Sequence, residues 1–254
     1  MKADAGTACR KVRCEQEYYM APDWLHAPYP RHLKVQGGGG QYGYGLLGAR
    51  LWSDGDQGCV PQQDSVYKFV RNETVAGYLE GVGWLRDNGF TIHGIVCDGL
   101  GGLFSALGKH RVQMCQFHQA MIVRRHLTSK PELPAAIELM DITNMLAHTD
   151  KESFIGMLDD WGERWTSFMG ERSTDLRTGK TSYTHKRLRS VYLSLRRNMP
   201  WLWTHYDYPE LHIPNTNNAL EGVFTDIKTK LRVHSGISKQ RRIAMIQELI
   251  ARRY

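Results

Sequence analysis

The apolar run from Phe90 to Cys97 ends in Ile95-Val96-Cys97 and is bounded by Asp98-Gly99. Consecutive apolar residues without alternation need cover on both faces, as in a strand inside a partly parallel sheet. Val66-Tyr67-Lys68-Phe69-Val70, upstream, are β-formers and predict another strand. Between the two, a helix opens at Asn72 or Glu73, turns Val75, Tyr78, Leu79, Val82 and Leu85 inward, and closes at Asn88-Gly89. Strand, helix and buried strand in succession predict an α/β fold with a mixed sheet. Open α/β sheets place their sites beyond the carboxyl ends of such strands, which makes Asp98 the first candidate site residue.

Gly99, Gly101 and Gly102 follow, but no Gly-Lys-Ser/Thr is present and the spacing fits no dinucleotide fingerprint. A short helix is expected over Leu103 to Leu107, a strand over Val112 to Phe117, and a helix from Gln119 to His126. Cys115 and His118 have a spacing that suits two zinc ligands. The same spacing suits a buried thiol beside a hydrogen-bonding imidazole. From Glu132 to Asn198 the spacing predicts helix throughout. Leu139, Met140, Ile142 and Leu146 mark one helix, and Thr149-x-x-Glu152 is a capping box for the next. Phe154, Met157, Leu158, Trp161, Trp165 and Phe168 then form a core stripe. A helix over His185 to Arg197 turns Leu188, Val191, Tyr192 and Leu195 inward. Its other face carries Lys186, Arg187, Arg189, Arg196 and Arg197, either solvated or binding phosphates.

The stretch Ile213 to Gly222 stops at Pro214-Asn215 and turns into a helix capped by Asn217 or Asn218. Ala219, Val223, Ile227 and Leu231 make its buried stripe, and Glu221, Thr225, Lys228 and Arg232 recur on a neighbouring face. Asn218-x-x-Glu221 is a capping box by spacing. Alternatively, Glu221 holds a cation while Lys228 and Arg232 meet a phosphate backbone. Ser238 caps a last helix with Ile243, Ile246, Leu249 and Ile250 inward.

The net charge of +7 resides wholly in the second part of the chain. Residues 1–110 hold 11 Lys/Arg and 11 Asp/Glu, and residues 111–254 hold 22 and 15. A basic half suits a polyanion such as nucleic acid. No run approaches a membrane span and no apolar signal core opens the chain, so a cytoplasmic protein is expected. Five cysteines in a chain of this size argue for reduced thiols, and Cys9 with Cys14 forms only a loose pair. Residues 1–65 show no sustained period. Gly37 to Gly40 favours a flexible loop, and only Leu46 to Trp52 reads as a strand.

Carboxylates brought to one point repel unless a divalent ion neutralises them, and Mg²⁺ takes oxygen ligands while keeping water or phosphate in its shell. Asp98 and Glu221 could form such a pair if the helical block between them is an excursion from the sheet. Val66 to Glu73, Ile95 to Gly99, Gln113-Met114-Cys115-Gln116-Phe117-His118-Gln119, Tyr183 to Leu188 and Asn215-Thr216-Asn217-Asn218-x-x-Glu221-Gly222 occur in that order. Together they resemble the bacterial insertion-sequence transposases of the Mutator-like group over residues 66–254. The resemblance implies an RNase H-like catalytic core over 66–254, with an all-α insertion at about 119–212. It implies an Asp, Asp, Glu triad that uses Mg²⁺ or Mn²⁺ to cut and join DNA. Asp98 matches the second Asp, Glu221 the Glu, and Cys115 with His118 the group's Cys-x-x-His element. The ends of a mobile element and a target DNA would be its partners, with oligomers formed on DNA in the nucleoid. Lys186, Arg187, Lys228 and Arg232 are the candidate DNA contacts. The other reading is a non-catalytic nucleic-acid-binding protein.

The resemblance stops near Val66. A first strand carrying an Asp is expected at about residues 40–46, where Gly40-Gln41-Tyr42-Gly43-Tyr44-Gly45-Leu46 has no carboxylate. Asp54 and Asp56 are the nearest. A shifted, truncated or decayed beginning of the reading frame accounts for this departure.

Overall fold

The computed structural model describes residues 31–38, 45–53, 65–70, 72–87 and 92–251, with side chains over 72–87, 92–217, 222 and 224–249. The chain is mixed α/β and divides into two compact units. One holds the described residues up to Val112 together with those from Asn217 onward; the other is Gln113–Thr216.

The first unit carries β1 (Arg31–Gly38), β2 (Gly45–Ser53), β3 (Ser65–Val70) and β4 (Ile92–Cys97). β5 (Val112–Met114) completes a sheet of order β3-β2-β1-β4-β5. β1 and β2 pair antiparallel from Arg31↔Ser53 to Gly38↔Leu46, and β2 pairs antiparallel with β3. β1 runs parallel to β4 through Leu33↔Ile95 and Lys34↔Val96. Ile95, Val96 and Cys97 are fully buried, as their unbroken apolar run requires. α1 (Val75–Asp87) packs against β2 and buries Tyr78, Val82 and Leu85. Thr74 Oγ1 accepts from Gly77 N at 3.1 Å, so this helix begins slightly later than its sequence signal. Leu79 lies at its exposed edge. After the short α2 (Leu103–Ala106), Arg111 O accepts from Ile95 N at 2.9 Å and brings the chain beside β4. α8 (Asn218–Val233) packs on β1 and β2, and α9 (Lys239–Ala251) covers Phe224, Ile227 and Leu231 with Ile243, Ile246 and Leu249.

The second unit contains α3 (Gln116–Leu127), α4 (Pro134–Met145), α5 (Lys151–Gly170), α6 (Lys186–Leu202) and the short α7 (Thr204–Asp207). α3 packs against α4 and α6, and α5 against α4 and α6. Phe154, Leu158, Trp161, Leu188, Val191 and Leu195 meet in its core. Trp161 Nε1 donates to Ala135 O at 3.0 Å, so the indole is buried without losing its hydrogen bond.

Several sequence expectations need correction here. The block from Glu132 to Asn198 is not all helix: β6 (Arg172–Thr174) and β7 (Thr181–Tyr183) form an antiparallel hairpin. Ser, Thr and Tyr flank an Asp-to-Gly turn there, and that turn chemistry outweighs helical spacing. Asp150, not Thr149, caps α5, accepting from Ser153 N at 2.8 Å. β5 ends at Met114, and Gln116-Phe117-His118 already belongs to α3. β1 lies at Arg31–Gly38, ahead of the 40–46 expected for a first strand, and includes Gly37 and Gly38 of the expected loop, because pairing with β2 and β4 outweighs their glycine character; Leu46 to Trp52 falls within β2. Cys9, Cys14, residues 39–44, Asp54, Asp56 and Asn88-Gly89 lie outside the described residues.

α5 and α6 approach at Gly162. A Cβ there would sit 2.3 Å from Tyr192 Oη and 2.9 Å from Cζ, and the Tyr192 ring lies beside Trp161 at 5.1 Å. Gly156, on the same helix, is exposed with nothing within 4 Å of a Cβ. Ala is worth about 0.5–1 kcal/mol over Gly inside a helix, and overpacking costs about 1–3 kcal/mol. Gly156→Ala should therefore raise the thermal midpoint and Gly162→Ala should lower it, in parallel melts followed by circular dichroism. A rise in both would show that Tyr192 swings aside freely.

Candidate functional site

Asp98 directly follows β4, half-buried, with Gly99 behind it at φ 92°. The all-buried strand fixes where this carboxylate emerges. Tyr78 reaches the same neighbourhood from α1, 2% exposed, and its hydroxyl donates to Glu73 Oε1. Burial above all, then the Asp98 charge, then the bond to Glu73 and its charge, hold the phenol well above its ordinary value. Tyr78 thus donates to Glu73, with its proton held more firmly than that of a free phenol. The sequence placed Tyr78 only in the core and Glu73 only at the opening of the helix. A tyrosine hydroxyl on a buried helix face needs a partner, and that requirement was the available signal.

Glu221 stands in the first turn of α8, in the same unit as Asp98; its side chain lies outside the described residues. Asn217 precedes the helix but makes no side-chain cap, and its amide is fully buried. The capping expectation therefore fails at Asn217, while Asn218 and Glu221 side chains are outside the described set. β1 reads Arg-His-Leu-Lys-Val-Gln-Gly-Gly and has no carboxylate. Carried on from Lys34↔Val96, the parallel register sets Gln36 level with Asp98.

Cys115 is fully buried at the N-cap of α3, and His118 is half-buried in its first turn, edge-on to Phe117 at 6.0 Å. Among the described residues no group of three or more His, Cys, Asp or Glu is placed to hold a metal. The glutamines of the same motif have a definite task. Gln113 Nε2 donates to Leu202 O at 2.9 Å and Gln116 Nε2 to the same oxygen at 3.1 Å. Gln113 Oε1 accepts from His205 N at 2.9 Å, and Gln116 Oε1 from Asn215 Nδ2 at 3.1 Å. Gln119 Oε1 accepts from Asn198 Nδ2 at 2.8 Å. Sequence reasoning noticed Cys115 and His118 and passed over these three residues. Glutamine repeated every third position at the start of an otherwise buried segment was the signal.

The second unit also holds Tyr183 to Leu188. His185 stacks on Phe168 at 3.7 Å, and its Nε2 lies 3.0 Å from Glu171 Oε2. Lys186 and Arg187 are exposed in the first turn of α6, which carries no acidic residue. In the first unit, Lys228 is half-buried and Arg232 exposed on α8. No protein-family profile matches the chain, and no curated protein matches it in sequence.

Burial holds the His205 imidazole below its ordinary value of 6.5, more strongly than the Asp207 carboxylate raises it. The folded chain then keeps His205 neutral where the unfolded chain protonates it. Stability should fall as pH drops through about 6.5 and level off below the folded value. Denaturant melts across that range should show the loss, and His205→Gln should remove part of it. His110, lowered by burial and by Arg86, accounts for a share that remains. Equal slopes in both proteins would show that His205 titrates freely. Gln116→Ala should cost about 1 kcal/mol in the same melts, because it removes the buried bond to Leu202 O and leaves the half-buried amide of Asn215 without its partner.

Proposed function

We propose that the chain is a transposase of the Mutator-like insertion-sequence type, acting on DNA through an RNase H-like core. The observation that carries this reading is the sheet: order β3-β2-β1-β4-β5, two antiparallel pairings, then β1 parallel to β4. That order and those strand directions support an RNase H-like reading, and Asp98, which directly follows β4, is the residue this reading would take as the second Asp of the triad. The chain returns to the same unit after Thr216 with α8, whose first turn carries Glu221.

Asp98, half-buried, and Glu221 carry oxygen donors of the kind Mg²⁺ prefers. Asp98 and Glu221 would be the residues that hold Mg²⁺ or Mn²⁺, whose chemistry there would be activation of the attacking oxygen and stabilisation of the leaving one. Tyr78, held neutral, keeps Glu73 positioned by donating to it. The candidate cations Lys186, Arg187, Lys228 and Arg232 serve the backbone of the element's ends or of the target.

A second reading, DNA binding without cleavage, is favoured by one observation: β1 carries no carboxylate. The test is incubation of the whole chain with duplex DNA bearing the sequences that flank its gene, with and without Mg²⁺ or Mn²⁺. Metal-dependent nicking is expected, falling on the order of 100-fold in Asp98→Asn and in Glu221→Gln. Binding without nicking would replace this reading by the second, and absence of DNA binding would overturn both.

A further inference from the structure

The β6–β7 hairpin ends in a turn built to be stiff. Asp175 Oδ1 accepts from Arg177 N at 2.8 Å and from Thr178 N at 3.1 Å. Asp175 N donates to Lys180 O at 3.0 Å, and Gly179 N to Asp175 O at 2.8 Å. Gly179 has φ 67°, a conformation that favours glycine, so the turn closes without strain. On this turn stands Leu176, 100% exposed. A leucine held wholly in water on a rigid support gains nothing for the fold.

The charge around it is one-sided. Residues 172–189 hold six Lys/Arg and one acid, Asp175, which the turn itself uses. Three bases elsewhere in this unit hold carboxylates: Lys151 with Asp207, Arg164 with Glu138, Arg196 with Asp159. Among the described residues no carboxylate pairs with Arg177, Lys180, Lys186 or Arg187. Lys186 and Arg187 also open α6 without an acid in its first turn, so the positive end of the helix dipole adds to their charge. Arg172 and Arg189 lie over the Tyr183 ring at 4.5 and 4.4 Å, which holds both guanidiniums in place at the hairpin's base. Behind the hairpin a cleft of about 600 Å³ is lined by Lys130, Lys186 and Arg187, with one acid, Glu132, and by Tyr183 and His185. Its three basic side chains outnumber that acid, a balance that suits a phosphodiester backbone.

We propose that the β6–β7 hairpin is a DNA-gripping arm: Leu176 wedges into the minor groove while Arg177, Lys180, Lys186 and Arg187 hold the flanking phosphates. This inference rests on the DNA-binding part of the function proposed above and assigns it an element and a mode. Apolar wedges flanked by bases are how minor-groove proteins unstack a base step and bend the duplex. The rigid turn supplies the orientation such a wedge needs, and the unpaired bases supply affinity without a sequence code.

The test uses the whole chain and a short duplex labelled with a fluorophore for anisotropy, with 2-aminopurine in a second copy to report unstacking. Leu176→Ala should weaken binding about 10-fold and remove the 2-aminopurine signal, while leaving the salt dependence unchanged. Lys186→Ala and Arg187→Ala should each reduce the slope of log K against log salt by about 0.9 and leave the unstacking signal intact at low salt. Arg164→Ala, whose charge Glu138 already neutralises, should bind as the unaltered chain does. All the arm residues are exposed, so matched thermal melts will confirm that the variants fold. If the unaltered chain binds duplex and every arm variant matches it, the arm is overturned while the DNA-binding reading stands. If the unaltered chain binds no duplex, or binds anionic phospholipid vesicles instead, both fall together.

Discussion

Leu202 O, at the end of α6, accepts from two buried glutamine side chains, and the second unit depends on that junction. A helix leaves its last carbonyls without intrahelical partners, and burying one unsatisfied costs about 1–3 kcal/mol. Gln113 and Gln116 meet that need for Leu202 while their oxygens take His205 N and Asn215 Nδ2. Gln119 continues the row to Asn198 on α6. Each amide has both ends occupied, so a shift of α6 along α3 would strand several polar groups at once. The network therefore fixes register, whereas Phe154, Leu158, Trp161 and Leu195 supply the bulk of the apolar burial.

The same logic of satisfied and unsatisfied groups separates the two kinds of basic residue. Arg164, Lys151 and Arg196 hold carboxylates and lock neighbouring helices, though such exposed pairs add little stability. The bases of the hairpin and of the first turn of α6 have no such partners among the described residues. Like charges held together on a rigid support raise the local positive potential, which is a cost to folding and an asset to binding a polyanion. His185 is fixed between Phe168 and Glu171 and so sets the start of α6 without itself facing this field alone.

In the first unit the governing constraint is the buried strand β4. Because Ile95, Val96 and Cys97 cannot turn to solvent, Asp98 has a single place to emerge. Tyr78, on α1, donates to Glu73, and burial together with the nearby Asp98 and Glu73 charges raises its phenol above the ordinary value. The absence of an acid in β1 leaves Gln36 at the level of Asp98, which bears directly on how complete a carboxylate centre this sheet can assemble.

Much of the secondary structure was legible in the sequence. The apolar run of β4, the stripe of α5 and the periodicity of α6 and α9 each follow from side chains that can be buried in only one way. The hairpin within the helical block was missed because helical spacing on both sides masked a short turn signal. β1 was missed because Arg31–Gly38 has little β-forming character of its own and is a strand through pairing with β2 and β4. Of the candidate site, Asp98 was readable from its position after an apolar strand, and Lys186 and Arg187 from their charge. Sequence alone determined the α/β class, the basic second half and the carboxylate at the strand end, since these depend on local pattern and composition. Only the tertiary structure decided that the Gln-x-x-Gln-x-x-Gln motif is a buried amide network and that Tyr78 sits close to Glu73 and Asp98. It also decided that Leu176 stands alone in water on a stiff turn. Each of these depends on which groups distant in the chain meet, and hydrogen-bond partners and solvent exposure are properties of that meeting.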